Sequence, residues 1–224
     1  MPPSPSVPGP ERRPQRRPRV RSEARPGTLS QRKRAAILAG AVEAFAECGF
    51  EHANMDLIAE NAGVSKRTVY NHFESKDQLF FAVVEEVKRR SRSIGTLVFR
   101  RDEKLASQLQ EFGRRVVDFH CDPPTRRLGR VILSRILERP QIASELFGES
   151  KLFEEELRGW IQAATDGEML CCSDVHLAAR QFLGLLETFV IWPQLIRGEP
   201  EPGPRQRGQI VAQCVEMFLA RYAP

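Results

Sequence analysis

The chain has 224 residues and a formal net charge of +5, enough length to bury a sizeable core and to hold one small unit beside a larger one. No apolar run reaches the roughly 18 residues a membrane span needs, and no apolar stretch follows the basic N-terminus, so neither a bilayer helix nor a secretory signal is expected and the protein reads as cytoplasmic. The charge excess sits in one place: residues 1–29 hold seven arginines against two glutamates, which leaves 27 basic and 27 acidic side chains elsewhere, so only local clustering can speak for a nucleic-acid partner.

Residues 1–29 are rich in proline and arginine and have no apolar periodicity, which predicts a disordered arm. Such an arm either tracks DNA phosphates or a minor groove, or is a dispensable tail or an overextended reading frame. A first helix is predicted from about Ser30, as cap, to Cys48. Ile37, Leu38, Ala41, Val42 and Phe45 recur on its inner face. Arg32, Lys33 and Arg34 in its first turn oppose the helix dipole, which fits a phosphate nearby or simple solvation. Gly49 ends it.

Asn54 caps a second helix that carries Ile58 and Ala59, and its side chain can also reach a phosphate. Gly63 makes the turn, Val64 fills the gap, and Ser65 caps a third helix whose Val69 points back into the same small core. Lys66, Arg67, Thr68, Tyr70, Asn71 and His72 are left on or near the outside, with no acid between Ser65 and Phe73. Two helices joined at a glycine also occur as plain core packing. A merely solvated face, however, usually mixes glutamate with lysine, whereas these groups donate to phosphates or read base edges. Ser75 caps a fourth helix predicted from Lys76 to Phe99, and its free amides and the Lys76 ammonium make an anion site.

Beyond residue 100 the pattern stays helical. Leu105, Leu109, Phe112, Val116 and Phe119 form one stripe, and Cys121-Asp122-Pro123-Pro124 breaks it. Further helices are predicted over 128–137, 142–147, 152–164, 174–196 and 204–222. The segment around Phe182, Leu186 and Phe189 is apolar on nearly all sides and so must be buried all round. With Val211, Val215 and Phe218 it is expected to form a four-helix seam across a two-fold axis; the alternative is a core helix within one chain. The fold class is therefore all-α.

Residues 31–80 resemble the DNA-binding region of the TetR family of bacterial repressors. The matching residues are Ile37, Ala41, Phe45, Gly49-Phe50, Met55, Ile58-Ala59, Ala62-Gly63-Val64-Ser65, Thr68 to Phe73, Ser75-Lys76 and Leu79-Phe80. More loosely, Ile136 to Pro140 and Ala178 to Phe182 resemble the C-terminal domain of AefR-like members. The resemblance implies an N-terminal three-helix helix-turn-helix unit (30–76) and a larger helical effector-binding and dimerisation domain (77–224), linked through the fourth helix. It also implies a homodimer on a palindromic double-stranded operator, released by a small-molecule effector. Asn54, Tyr70, His72 and Lys76 would then contact phosphates, and Lys66, Arg67, Thr68 and Asn71 the bases or groove. For the effector pocket the mixed aromatic and polar candidates are Phe112, Phe119, His120, Trp160 and Trp192, each of which is equally readable as core or surface.

Other chemistry has little support. No Ser-His-Asp order, glycine-rich phosphate loop or paired metal-ligand motif stands out, so no enzyme, cofactor or metal is expected. Five cysteines (Cys48, Cys121, Cys171, Cys172, Cys214) without C-x-x-C spacing make neither a disulfide framework nor a zinc site; the vicinal pair is a thiol sensor or incidental. The competing functions are a helical small-molecule-binding or scaffold protein with a degenerate reader, and a transcriptional activator.

Overall fold

The computed structural model describes residues 28–94, 96–147 and 153–224; the predicted basic arm, up to residue 27, lies outside them. Among the described residues every regular element is an α-helix. A head is built from α1 (Leu29–His52), α2 (Met55–Asn61), α3 (Lys66–His72) and the start of α4 (Lys76–Ser93). The body follows as α5 (Leu105–Cys121), α6 (Pro123–Glu138), α7 (Ile142–Phe147), α8 (Glu154–Asp166), α9 (Val175–Val190), α10 (Trp192–Ile196) and α11 (Pro204–Tyr222). No described helix is long and apolar enough to cross a membrane.

Capping chemistry sets several ends. Thr28, rather than Ser30, caps α1 through a reciprocal box with Gln31. Gly49 breaks that helix at φ 77°, a conformation that favours glycine, and one further turn follows. α4 stops at Ser93, short of the predicted Phe99. The Ser91 and Ser93 hydroxyls bond back to the Lys88 and Arg90 carbonyls in its last turn. Leu97 is buried in the segment that follows, and Phe99 meets Trp160 edge-on at 6.0 Å.

The prolines act by position. α6 begins at Pro123 instead of Leu128, because a proline in the first turn lacks only an N–H that the helix does not use there, and Asp122 caps it through Thr125. Pro193 works the other way. Its ring and missing donor break the predicted 174–196 helix at Ile191, which separates α9 from α10.

Two cores result. In the head, Phe45, Phe50 and Phe80 make an aromatic triad with centroids 5.3 to 6.1 Å apart. In the body, α5 and α11 cover α9, where Phe182 meets Phe218 edge-on at 5.3 Å. This corrects the predicted two-fold seam: Phe182, Leu186, Val211, Val215 and Phe218 are all at most 2% exposed within one chain. Such coverage is possible because Gly113 lets Val211 approach to where a Cβ would lie 2.9 Å from its Cγ1. Of the six seam residues only Phe189 remains exposed.

Candidate nucleic-acid interface and effector cavity

The turn between α2 and α3 is locked by backbone bonds. Gly63 takes φ 61°, its N–H donates to the Glu60 carbonyl, and the Val64 N–H donates to the Ala59 carbonyl, both at 3.0 Å. This double bond closes a helix end on a left-handed residue. Ser65 caps α3 by accepting from the Thr68 N–H and sharing a 2.8 Å bond with the Thr68 hydroxyl. Val69 is fully buried beneath, and from α1 Arg34 places its guanidinium 5.3 Å from the centre of the Phe73 ring at the far end of α3.

The predicted contact residues differ in exposure and in partners. Arg67, Tyr70 and Asn71 are exposed, and His72 and Thr68 are half-buried, with the Thr68 hydroxyl engaged by Ser65. Lys66 is exposed but ion-paired to Asp56 of α2 at 2.8 Å, and the hydrogen bond and charge of Asp56 hold its ammonium above the ordinary lysine value. Exposed pairs of this kind are weak and exchange readily for a phosphate. Asn54 caps α2 with its oxygen, accepting from the Asp56 and Leu57 N–H groups.

Lys76 is the correction. Its ammonium donates to the carbonyls of Phe50, Glu51 and Ala53 at 2.6, 2.9 and 3.0 Å and sits 4.6 Å from the centre of the Phe50 ring. All three protons are spent on the frayed end of α1, so the side chain braces the head and is not free for a phosphate. Lys76→Met is expected to lower stability by about 2 kcal/mol in urea denaturation and to leave the salt dependence of DNA binding unchanged; a shallower salt slope would return Lys76 to the phosphate contacts.

Two residues that the sequence pattern did not single out hold the assembly together. Gly40 lets α1 and α2 touch: a Cβ there would lie 2.7 Å from the Ala62 nitrogen. Arg135 of α6 is 2% exposed, stacks 3.9 Å from the centre of the Phe50 ring, and ion-pairs with Glu51 at 2.5 Å, Asp77 at 3.4 Å and Glu138 at 3.5 Å. It joins the body to the end of α1 and the start of α4. Signals for both existed: a glycine inside a helical run and a cation on an apolar stripe.

In the body, three of the five pocket candidates share one cavity of about 210 Å³ between α5, α6, α9 and α10. Its walls include Phe119, His120, Ile132, Ile136, Val190 and Trp192. Burial lowers the His120 pKa to about 4, so its imidazole is neutral at neutral pH. Phe112 and Trp160 are core instead. The Trp160 indole donates to Gln108 at 3.0 Å, and Gln108 in turn ties down the Arg100 and Glu103 carbonyls. A larger cleft of about 620 Å³ separates α1 and α4 from the start of α6.

The model described as bacterial regulatory proteins of the TetR family matches residues 37–83. The model described as the C-terminal domain of AefR-like transcriptional repressors matches residues 107–224. The HTH-type transcriptional regulator RutR of Escherichia coli K12 is 29% identical over 137 residues, 58% of this chain and 63% of RutR. The HTH-type transcriptional activator FasR of Mycolicibacterium smegmatis is 45% identical over 53 residues, 24% of each chain. A crystal structure of a TetR family transcriptional regulator from Pseudomonas syringae pv. tomato superimposes with a TM-score of 0.74 at 33% identity, over 87% of this chain and 99% of that one. With a helix-turn-helix caged at the N-terminus and a larger helical body matched over more than half its length, the chain belongs to the TetR family of bacterial transcriptional regulators.

Proposed function

We propose that the protein is a dimeric repressor that holds a palindromic operator and releases it when a small molecule occupies the cavity of the body. The observation that carries this reading is the outward, acid-free surface of α3, with Arg67, Tyr70 and Asn71 exposed on a helix fixed at both ends. A second helix-turn-helix one groove repeat away is what a palindrome requires. The face offered for pairing is a stripe on α9 and α11 that one chain leaves open, with Leu177 and Phe189 about half exposed and Met217 59% exposed. α6 is the shared wall: Ile132 and Ile136 face the cavity, while Arg135 between them grips Glu51 and Asp77 of the head. A ligand that favours one position of α6 thereby favours one angle of the head, and the 620 Å³ cleft beside α1 gives it room to move.

Fluorescence anisotropy on duplexes from the region upstream of the protein's own reading frame tests the DNA half. Arg67→Ala and Asn71→Ala are each expected to weaken binding about tenfold or more, the worth of one good base contact, with unfolding midpoints unchanged because both side chains are exposed. Equal binding of every duplex by the unaltered protein would leave a scaffold with a degenerate reader. An in vitro transcription assay fixes the sign, and added protein raising transcript yield would make it an activator.

A further inference from the structure

We propose that the cleft between head and body is a second ligand site, one that takes an amphipathic carboxylate: a ring system or chain on the apolar floor, with its anionic group among the arginines of the rim. The site is distinct from the cavity of the body and does not depend on the release mechanism above. Leu38 of α1, Val83 and Val87 of α4 and Leu128 of α6 form the floor, and each is at most 8% exposed. The volume of about 620 Å³ lies within the range of small-molecule sites. Val87 and Thr125 stand between this cleft and the body cavity, since both line each of them. An occupant touches α1, α4 and α6 at once, across the junction of head and body.

The charge of the rim selects the ligand. Arg34, Arg89, Arg90 and Arg127 line the cleft against Glu43 and Glu86, a net charge of +2. Glu86 is spent on its own helix. Its oxygens accept from Arg89 at 2.6 and 2.7 Å, and one of them also accepts from Arg90 at 3.3 Å, so one carboxylate serves two guanidiniums. Arg127 is exposed with no ion pair among the described residues, and Arg34 has only the face of Phe73. Glu43 is exposed and offsets this excess in part. All these side chains keep accessible surface, so an anion can reach the guanidiniums from the cleft and take two N–H donors from one of them. A cationic ligand would meet a like charge on the same apolar floor.

Fluorescence titration at pH 7 and low salt with three probes of one shape tests this: 1-pyrenebutyrate, 1-pyrenebutanol and 1-pyrenebutylamine, the last protonated. The carboxylate is expected to bind at least tenfold tighter than the alcohol and the ammonium weakest, with the gap between the first two narrowing in about 1 M salt because the rim is exposed. Arg90→Gln and Arg127→Gln should each cut that gap about threefold, and Glu43→Gln should widen it. Ala35→Trp and Ala39→Trp fill the cleft from exposed positions on α1 and should abolish binding of all three probes, with thermal melts checking that both variants fold. Gly129→Leu fills the body cavity instead, where a Cβ meets only Leu195 at 3.9 Å, and should leave the titrations unchanged. Equal affinity for the three probes, tightest binding of the ammonium, or no binding of pyrenebutyrate up to its solubility limit would each overturn the assignment. So would binding that is lost in Gly129→Leu and kept in both tryptophan variants.

Discussion

Replacing Glu51 and Asp77 together with alanine is expected to destabilise the protein by about 3 kcal/mol, more than removing Arg135 itself. The guanidinium is 2% exposed, so its charge depends on the carboxylates around it. With both carboxylates gone it would keep only Glu138 at 3.5 Å and the face of Phe50. Arg135→Met is the milder change. Glu51 and Asp77 are 56% and 63% exposed and can be rehydrated where they stand, and methionine keeps most of the packing on Phe50. A loss of about 1 kcal/mol is expected. Urea denaturation at neutral pH compares the two. If Arg135→Met proves the more damaging, desolvation of the cation is not what governs this junction. Under the proposed release mechanism both variants should also weaken the effect of ligand on DNA affinity, because the same three residues join α6 to the head.

Gly40→Ala is expected to cost about 3 kcal/mol and most of the DNA affinity. The added methyl would sit 2.7 Å from the Ala62 nitrogen, 2.9 Å from the Ile58 carbonyl oxygen and 3.0 Å from the Ala62 Cβ. Two of these are backbone atoms of the α2 segment, so relief requires moving the helix that positions α3. Alanine's better helix propensity returns only about 1 kcal/mol. Gly208→Ala in α11 is the counterpart: nothing lies within 4 Å of its added Cβ, and propensity alone should make that variant more stable. Thermal melts of the two should move in opposite directions. A stable Gly40→Ala that still binds DNA would mean that α1 and α2 are not held at the distance seen here.

Much of the head was legible because its signals are local. A serine three residues before the N–H it caps, a glycine where φ must be positive, and a valine returning to the core each act within one or two turns, and α2, the turn and α3 follow from them. Lys76 shows the limit. As a lysine at a helix start it read as an anion ligand, yet the three carbonyls it serves lie more than twenty residues earlier, at the end of α1. The seam residues misled for the same reason: apolarity says that Phe182, Leu186 and Phe218 must be covered, but not by what, and here α5 and α11 of the same chain do it.

By itself, then, the sequence determined the helical class, the reader and its outward face, and the aromatic pool from which the cavity draws Phe119, His120 and Trp192. Those depend on periodicity, capping and composition, which are written within a few turns of chain. Only the tertiary structure decided that Arg135 clasps the head, that Gly40 sets the spacing of α1 and α2, and that Phe119, His120 and Trp192 line one cavity while Phe112 and Trp160 do not. Each is a meeting of groups far apart along the chain, and what a side chain can do there depends on which donors, acceptors and charges have already been taken.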